Sequence, residues 1–137
     1  MIVICCVDDA MGMLFNRRRQ SRDRVVRAAI GTLAAGKTLW MNAYSAAQFS
    51  IGELPEGICV DEEFLAKAQP EDYCFVENTD MEPYENKISG LVLFHWNRAY
   101  PADVRFPLQL TRQWQLKSTQ ELTGYSHEKI TMEVYER

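Results

Sequence analysis

Nine residues, I-S-G-L-V-L-F-H-W at positions 88–96, constrain this chain more than any other stretch. They form its longest apolar run. The apolar side chains are consecutive rather than alternating, so a strand here carries oil on both faces and must be covered on both sides. Gly90 inside it marks a place where neighbouring backbone comes close. Further on, Trp114 and Leu116, and then Ile130, Met132 and Val134, alternate with polar residues. That alternation is the pattern of half-buried antiparallel strands.

The N-terminal half supplies the covering layers. Residues 2–7 are apolar and β-branched and predict a buried strand, ended by Asp8-Asp9 and a turn at Gly12. Residues 13–20 read as a loop. Ser21 is placed to cap a helix in which Val25, Val26, Ala29, Ile30 and Leu33 share a face. Gly36 is placed to end that helix in the left-handed conformation. Strands are predicted over residues 38–41, 58–60 and 73–76, and a short helix over 45–49. Asp61 is expected to cap a helix of two turns closed by Pro70. Strands alternating with helices, then strands alone, give a single α/β domain over residues 1–137, with a mixed sheet of seven or eight strands flanked by helices.

The 137 residues fit one domain, and 47% of them are hydrophobic, enough for a real core. A net charge of −4 exerts no general pull on nucleic acid. No apolar run approaches 18 residues and no charged-then-apolar leader is visible, so no membrane association is expected. Cys5, Cys6, Cys59 and Cys74 lie in apolar runs without a C-x-x-C pair. They read as buried thiols of a reducing, cytoplasmic setting. His95 and His127 have no His or Cys three to five residues away, so no metal site is expected.

The order of motifs resembles dihydrofolate reductase. The C-terminal part matches best: K-I-S-G-L-V-L-F-H-W-N-R-A-Y-P-A-D-V-R-F-P, then R-Q-W-Q-L-K-S, then a terminal strand T-M-E-V-Y-E-R. Upstream, G-K-T-L-W-M-N-A-Y-S is similar to the family's G-K-P-V-x-M-G-R-x-T, and E-D-Y-C-F-V-E-N to its strand ending in Gly-Gly. The resemblance implies that Asp23 stands where the family places its catalytic carboxylate. It also implies a nicotinamide site, but the residues there differ. Gly-Arg at the cofactor phosphates becomes Asn42-Ala43, and Gly-Gly at the pyrophosphate becomes Glu77-Asn78. A Cβ and a carboxylate at such a place crowd and repel a polyanion. Leu-Pro-Trp before the helix becomes Arg17-Arg18-Arg19, and the Thr that supports the acid becomes Phe94. Ser45 and Asp103 are kept.

Two readings stand for each candidate. Asp23 is a candidate acid at the edge of an apolar cleft, or a first-turn acid interacting with the helix dipole. Arg17, Arg18, Arg19, Arg22, Arg24 and Arg27 place six cations within eleven residues. They form an anion-binding patch, with Ser45 as a further ligand contact, or a solvated face. Asp8-Asp9 ends a strand or binds a metal. His95 is a satisfied strand histidine or a base.

Taken with the resemblance, the replaced glycines imply a divergent member that has lost NADPH-dependent reduction. Such a protein needs no cofactor and binds a small anionic or heterocyclic ligand, or a partner. The alternative is an active reductase of a pterin- or folate-like substrate that uses NADPH, with Asp23 as acid. A weaker alternative is an RNA-binding accessory protein acting through residues 17–27.

Overall fold

The computed structural model describes residues 1–50 and 52–137. Its centre is the pair formed by β1 (Ile2–Val7) and β7 (Gly90–His95), which run parallel in full register from Ile2 opposite Gly90 to Val7 opposite His95. Gly90 is where the two backbones need room: a Cβ there would stand 3.2 Å from Ile2 Cγ1. Leu91 and Leu93 point into one core with Val3, Cys5 and Val7, and Val92 and Phe94 into the other with Ile4. The strand is thus covered on both faces, as its unbroken apolar run requires. Each large side chain so buried contributes about 1.5–3 kcal/mol.

Seven strands form the main sheet in the order β5-β4-β6-β1-β7-β10-β9. The flanking strands are β4 (Leu39–Met41), β5 (Ile58–Val60) and β6 (Tyr73–Phe75) on one side, all parallel. On the other side β10 (Ile130–Glu136) runs antiparallel to β7, and β9 (Gln115–Leu122) antiparallel to β10. The longest helix among the described residues, α1 (Arg24–Leu33), lays Val26 and Ile30 on the second core. The first core is closed by Phe64 and Leu65 of the one-turn helix α3 (Phe64–Lys67), with Met81, Ile88, Phe106, Leu108 and Trp114.

Several local expectations change. Residues 13–20 are a hairpin: β2 (Gly12–Phe15) pairs with β3 (Arg18–Arg19), and β8 (Val104–Arg105) adds a third strand. The two-residue turn puts Asn16 and Arg17 at φ 52° and 64°. This is the left-handed pair that a tight hairpin demands, supplied without the usual glycine signal. The cap of α1 is Asp23, not Ser21, because the carboxylate accepts from Val25 N at 2.9 Å. The helix predicted over 45–49 is α2 (Ala43–Ala46), capped by Asn42. The helix predicted after Asp61 has one turn rather than two, because the chain is already extended at Ala68, and Asp61 instead accepts from Glu63 N. Gly36 does adopt positive φ, at 75°. Leu116 is half exposed rather than half buried, since β9 is an edge strand paired only to β10.

Candidate functional site

Asp23 sits where the chain leaves the β2–β3 hairpin and enters α1. Its Oδ1 accepts from Val25 N and Tyr125 N, each at 2.9 Å. Its Oδ2 accepts from Ser126 N at 2.8 Å, Ser126 Oγ at 3.1 Å and His127 Nδ1 at 3.0 Å. The Asp23 side chain is 0% exposed and that of His127 2%. Burial by itself pushes this carboxyl up. The donated hydrogen bonds of Tyr125, His127, Val25 and Ser126 outweigh it and hold the group ionised, well below the ordinary carboxylate range. Asp23 is therefore sealed under the turn between β9 and β10 rather than standing at the edge of an open cleft.

That turn works by close approach. A Cβ on Gly124 would lie 2.4 Å from the His127 carbonyl oxygen and 2.9 Å from Asp23 Oδ2. Only glycine lets the loop fold down on the carboxylate. His127 is then fixed on every side. Its ring stacks on Trp96, with centroids 4.6 Å apart and planes 25° from parallel. An ionised carboxylate has no hydrogen to give, so Nδ1 carries the hydrogen, and in the neutral imidazole Nε2 is then the acceptor. Two hydroxyls converge on that Nε2: Ser21 Oγ at 3.0 Å and Tyr100 Oη at 3.1 Å.

Tyr100 is held in place from the C-terminal end of β1. Asp8 is buried and accepts from Gly12 N, Ala10 N, Gln20 Nε2 and Tyr100 N at 2.7–3.1 Å. Burial pushes the Asp8 carboxyl up, and these donors pull it below its ordinary value. Asp8 ties the start of β2, the residue before Ser21 and the Tyr100 backbone to one point. Gly12 is again required by space, since a Cβ would meet Ala102 Cβ and Gln20 Nε2 at 2.6 Å.

A second ion pair lies along the same hairpin. Arg19 Nε donates to Glu77 Oε2 at 2.8 Å and its Nη2 to Glu77 Oε1 at 3.0 Å, a two-pronged contact. The guanidinium lies over the Tyr44 ring at 4.2 Å and also donates to the Tyr44 carbonyl. The Tyr44 hydroxyl accepts from Arg19 N. Desolvation pulls the Arg19 guanidinium down, and Glu77 more than restores it, so the net shift is upward. Next to this pair Asn42 Nδ2 donates to Asn78 Oδ1 at 2.7 Å. At the two replaced glycine motifs Asn42 is thus joined to Asn78, Glu77 to Arg19, and the Ala43 N–H to the Glu62 carboxylate.

The remaining arginines do not converge. Arg24 covers the Tyr125 ring at 4.1 Å and Arg27 pairs with Glu53. Arg17, Arg18 and Arg22 are exposed. Arg18 and Arg19 line an open cleft of about 500 Å³ together with Phe15, Asn16, Gln20, Tyr100 and Pro101. Arg17 and Arg22 are not part of its wall. Ser45 is buried, and its hydroxyl has no hydrogen-bond partner. A narrower cleft between the hairpin and the sheet is lined by Cys6, Met13, Arg19, Gln20, Ser21, Val76, Glu77 and Trp96. Asp103, kept in the resemblance, accepts from Asn16 N and steadies the hairpin turn.

His95 bonds to Glu133, which also accepts from the Tyr135 hydroxyl, so it is a satisfied strand histidine. The four cysteines are free, and burial pushes the thiols of Cys5, Cys6 and Cys74 up, that of Cys74 to about 12. Among the described residues no group of three or more His, Cys, Asp or Glu is arranged to hold a metal ion, and no helix is long and apolar enough to cross a membrane. His127 is the residue that sequence reasoning missed. Its only signal was the loop T-G-Y-S-H-E, where a histidine follows a glycine and two hydroxyl residues between predicted strands.

No family model matches the sequence, and no curated protein sequence matches it. Among solved structures, dihydrofolate reductase from Enterococcus faecalis complexed with NADP(H) and RAB-propyl is similar with a TM-score of 0.70. The match covers 99% of this chain and 95% of that one at 13% identity. The protein is a divergent α/β domain with a dihydrofolate-reductase-like fold, as the motif order implied.

Proposed function

We propose that this dihydrofolate-reductase-like domain has lost NADPH-dependent reduction and binds a small anionic or heterocyclic ligand in the cleft lined by Arg18, Phe15 and Tyr100. The observation that carries the reading is the Arg19–Glu77 pair stacked on Tyr44. It occupies, with Asn42 and Asn78, the stretch where the resemblance implies a phosphate cradle. A dinucleotide would have to displace a two-pronged ion pair and then face the Glu77 carboxylate. Asp23, fully covered and held ionised, weighs against the reductase alternative, which needs a carboxyl that reaches a substrate ring. The open cleft offers what an anionic ring system needs: an aromatic wall in Phe15 and Tyr100, and an exposed guanidinium at Arg18.

Two titrations test this. NADPH at concentrations up to about 100 μM, a Kd limit of roughly −5.5 kcal/mol, should show no saturable binding. A thermal-shift screen of nucleotides, pterins and aromatic carboxylates should find a ligand that raises the midpoint by mass action, and Arg18→Ala should abolish that shift. Low-micromolar NADPH affinity would overturn the reading. The exposed Arg17, Arg18 and Arg22 favour a second reading, contact with RNA phosphate. It requires binding of short RNA that weakens steeply with salt and is lost when Arg17 and Arg18 are replaced together by Ala.

A further inference from the structure

Three side chains far apart in sequence form a continuous line of hydrogen bonds: Asp23 Oδ2 to His127 Nδ1 at 3.0 Å, and His127 Nε2 to Ser21 Oγ at 3.0 Å. We propose that Ser21 is an activated nucleophile, that His127 is its base, and that the chain hydrolyses small carboxylic esters. The proposal goes beyond the ligand assigned to the larger cleft and holds whether or not an anion binds at Arg18.

The direction of proton flow follows from Asp23. Its carboxylate holds the Nδ1 hydrogen, so that in the neutral imidazole Nε2 is the acceptor facing the Ser21 hydroxyl. A serine hydroxyl is a weak nucleophile until a base is placed to take its hydrogen, and here the base is in hydrogen-bond contact before any substrate arrives. The base is also rigid. Trp96 stacks on one face of the ring, and the carboxylate that orients it is itself held by three backbone N–H groups, of Val25, Tyr125 and Ser126. A base fixed in this way needs little reorganisation when charge develops.

Accessibility runs in the order that nucleophilic catalysis needs. Asp23 and His127 are closed to water, whereas Ser21 is partly exposed and lines, with Cys6, Met13, Val76 and Trp96, a slot of about 10 Å³ that has room for one water. That cleft adjoins the larger one through Arg19 and Gln20, which line both. Tyr100 completes the device. Its hydroxyl shares Nε2 with Ser21, and a single lone pair cannot accept two hydrogens fully. Once Nε2 has taken the serine hydrogen, the Tyr100 oxygen becomes an acceptor for the new Nε2–H and stabilises the imidazolium.

The reaction balances without a cofactor. Ser21 Oγ bonds to the ester carbonyl carbon while its hydrogen passes to Nε2. The bond from that carbon to the alcohol oxygen breaks, and the alcohol leaves with the proton from Nε2. Water then adds to the acyl carbon, gives a proton to Nε2, and the acid departs as the proton returns to Ser21 Oγ. The sum is ester plus water to acid plus alcohol.

An alkyl fluorophosphonate and p-nitrophenyl acetate test the step on the full chain. The fluorophosphonate loses fluoride when an activated serine oxygen attacks phosphorus, and peptide mass analysis locates the label. A label on Ser21 in the folded wild type is expected, absent in Ser21→Ala and in the wild type unfolded by urea. His127→Gln, folded by circular dichroism, should be labelled and should release p-nitrophenolate at least about 100-fold more slowly. If His127→Gln does not fold, Ser21→Ala and the unfolded wild type still decide. Absence of label on folded wild type, a label at another residue, or equal labelling of folded and unfolded chain would each overturn the proposal and leave the three residues as a structural lock.

Discussion

The Asp23–His127 corner and the Arg19–Glu77 corner are built from the same materials, one acid and one base held by the β2–β3 hairpin region, and they do opposite things. In the first, the pair is wholly covered, the acid receives five hydrogen bonds, and one ring nitrogen is left as an acceptor aimed at two hydroxyls. In the second, each partner satisfies the other through two parallel contacts, and both side chains keep some exposure, 19% and 8%. One arrangement keeps chemical capacity in reserve, and the other uses it up. What separates them is the number of unshared donors and acceptors left after the pair has formed, which neither charge nor distance alone reveals.

The sharpest way to break the comparison is Asp23→Ala. It leaves three backbone N–H groups and a buried imidazole without their acceptor, and it should cost about 3–5 kcal/mol, read as a lower urea midpoint. The pH dependence separates this corner further. The folded carboxyl lies below its unfolded value of about 3.9, so its contribution is present above that value and is lost as pH falls toward the folded one. Part of the acid unfolding of the wild type below about pH 4 should therefore vanish in Asp23→Ala. Asp8, Glu53 and Asp61, shifted the same way, will contribute to what remains.

A smaller effect is expected at Gly124, whose Cβ would stand 2.4 Å from backbone. Gly124→Ala should lower stability by about 1–3 kcal/mol and lift the loop from Asp23, seen as faster amide exchange at Tyr125 and Ser126. If exchange there is unchanged, the loop does not seal the acid. The mildest change is Glu77→Ala, expected to cost about 1–2 kcal/mol because water partly replaces the lost partner. A loss as large as that of Asp23→Ala would erase the distinction between the two corners.

The central sheet was legible in the sequence because burial on both faces demands an unbroken apolar run, and residues 90–95 have one. The alternation at Ile130, Met132 and Val134 named the neighbouring strand for the same reason. The hairpin over residues 12–19 was not legible, since Asn16-Arg17 lacks the glycine that announces such a turn. The α1 start was misassigned by two residues because Ser21 and Asp23 are both good caps, and only the structure shows which one points at Val25 N.

Sequence by itself determined the two-sided core, the order along the chain of the helices and of the strands of the main sheet, and the replacement of both glycine motifs by larger polar residues. These are properties of neighbours, carried by side-chain type and period. The tertiary structure alone decided what the charged residues do. Asp23 and His127 are 104 positions apart, and their contact depends on how β10 returns beside β7 and on a loop that closes through a glycine. Arg19 looked like one of six equivalent cations until Glu77, 58 positions away, was seen to hold it. No local pattern encodes such meetings, because the free energy that brings the partners together comes from the core on which both elements pack, while the charges themselves add only what burial and geometry then allow.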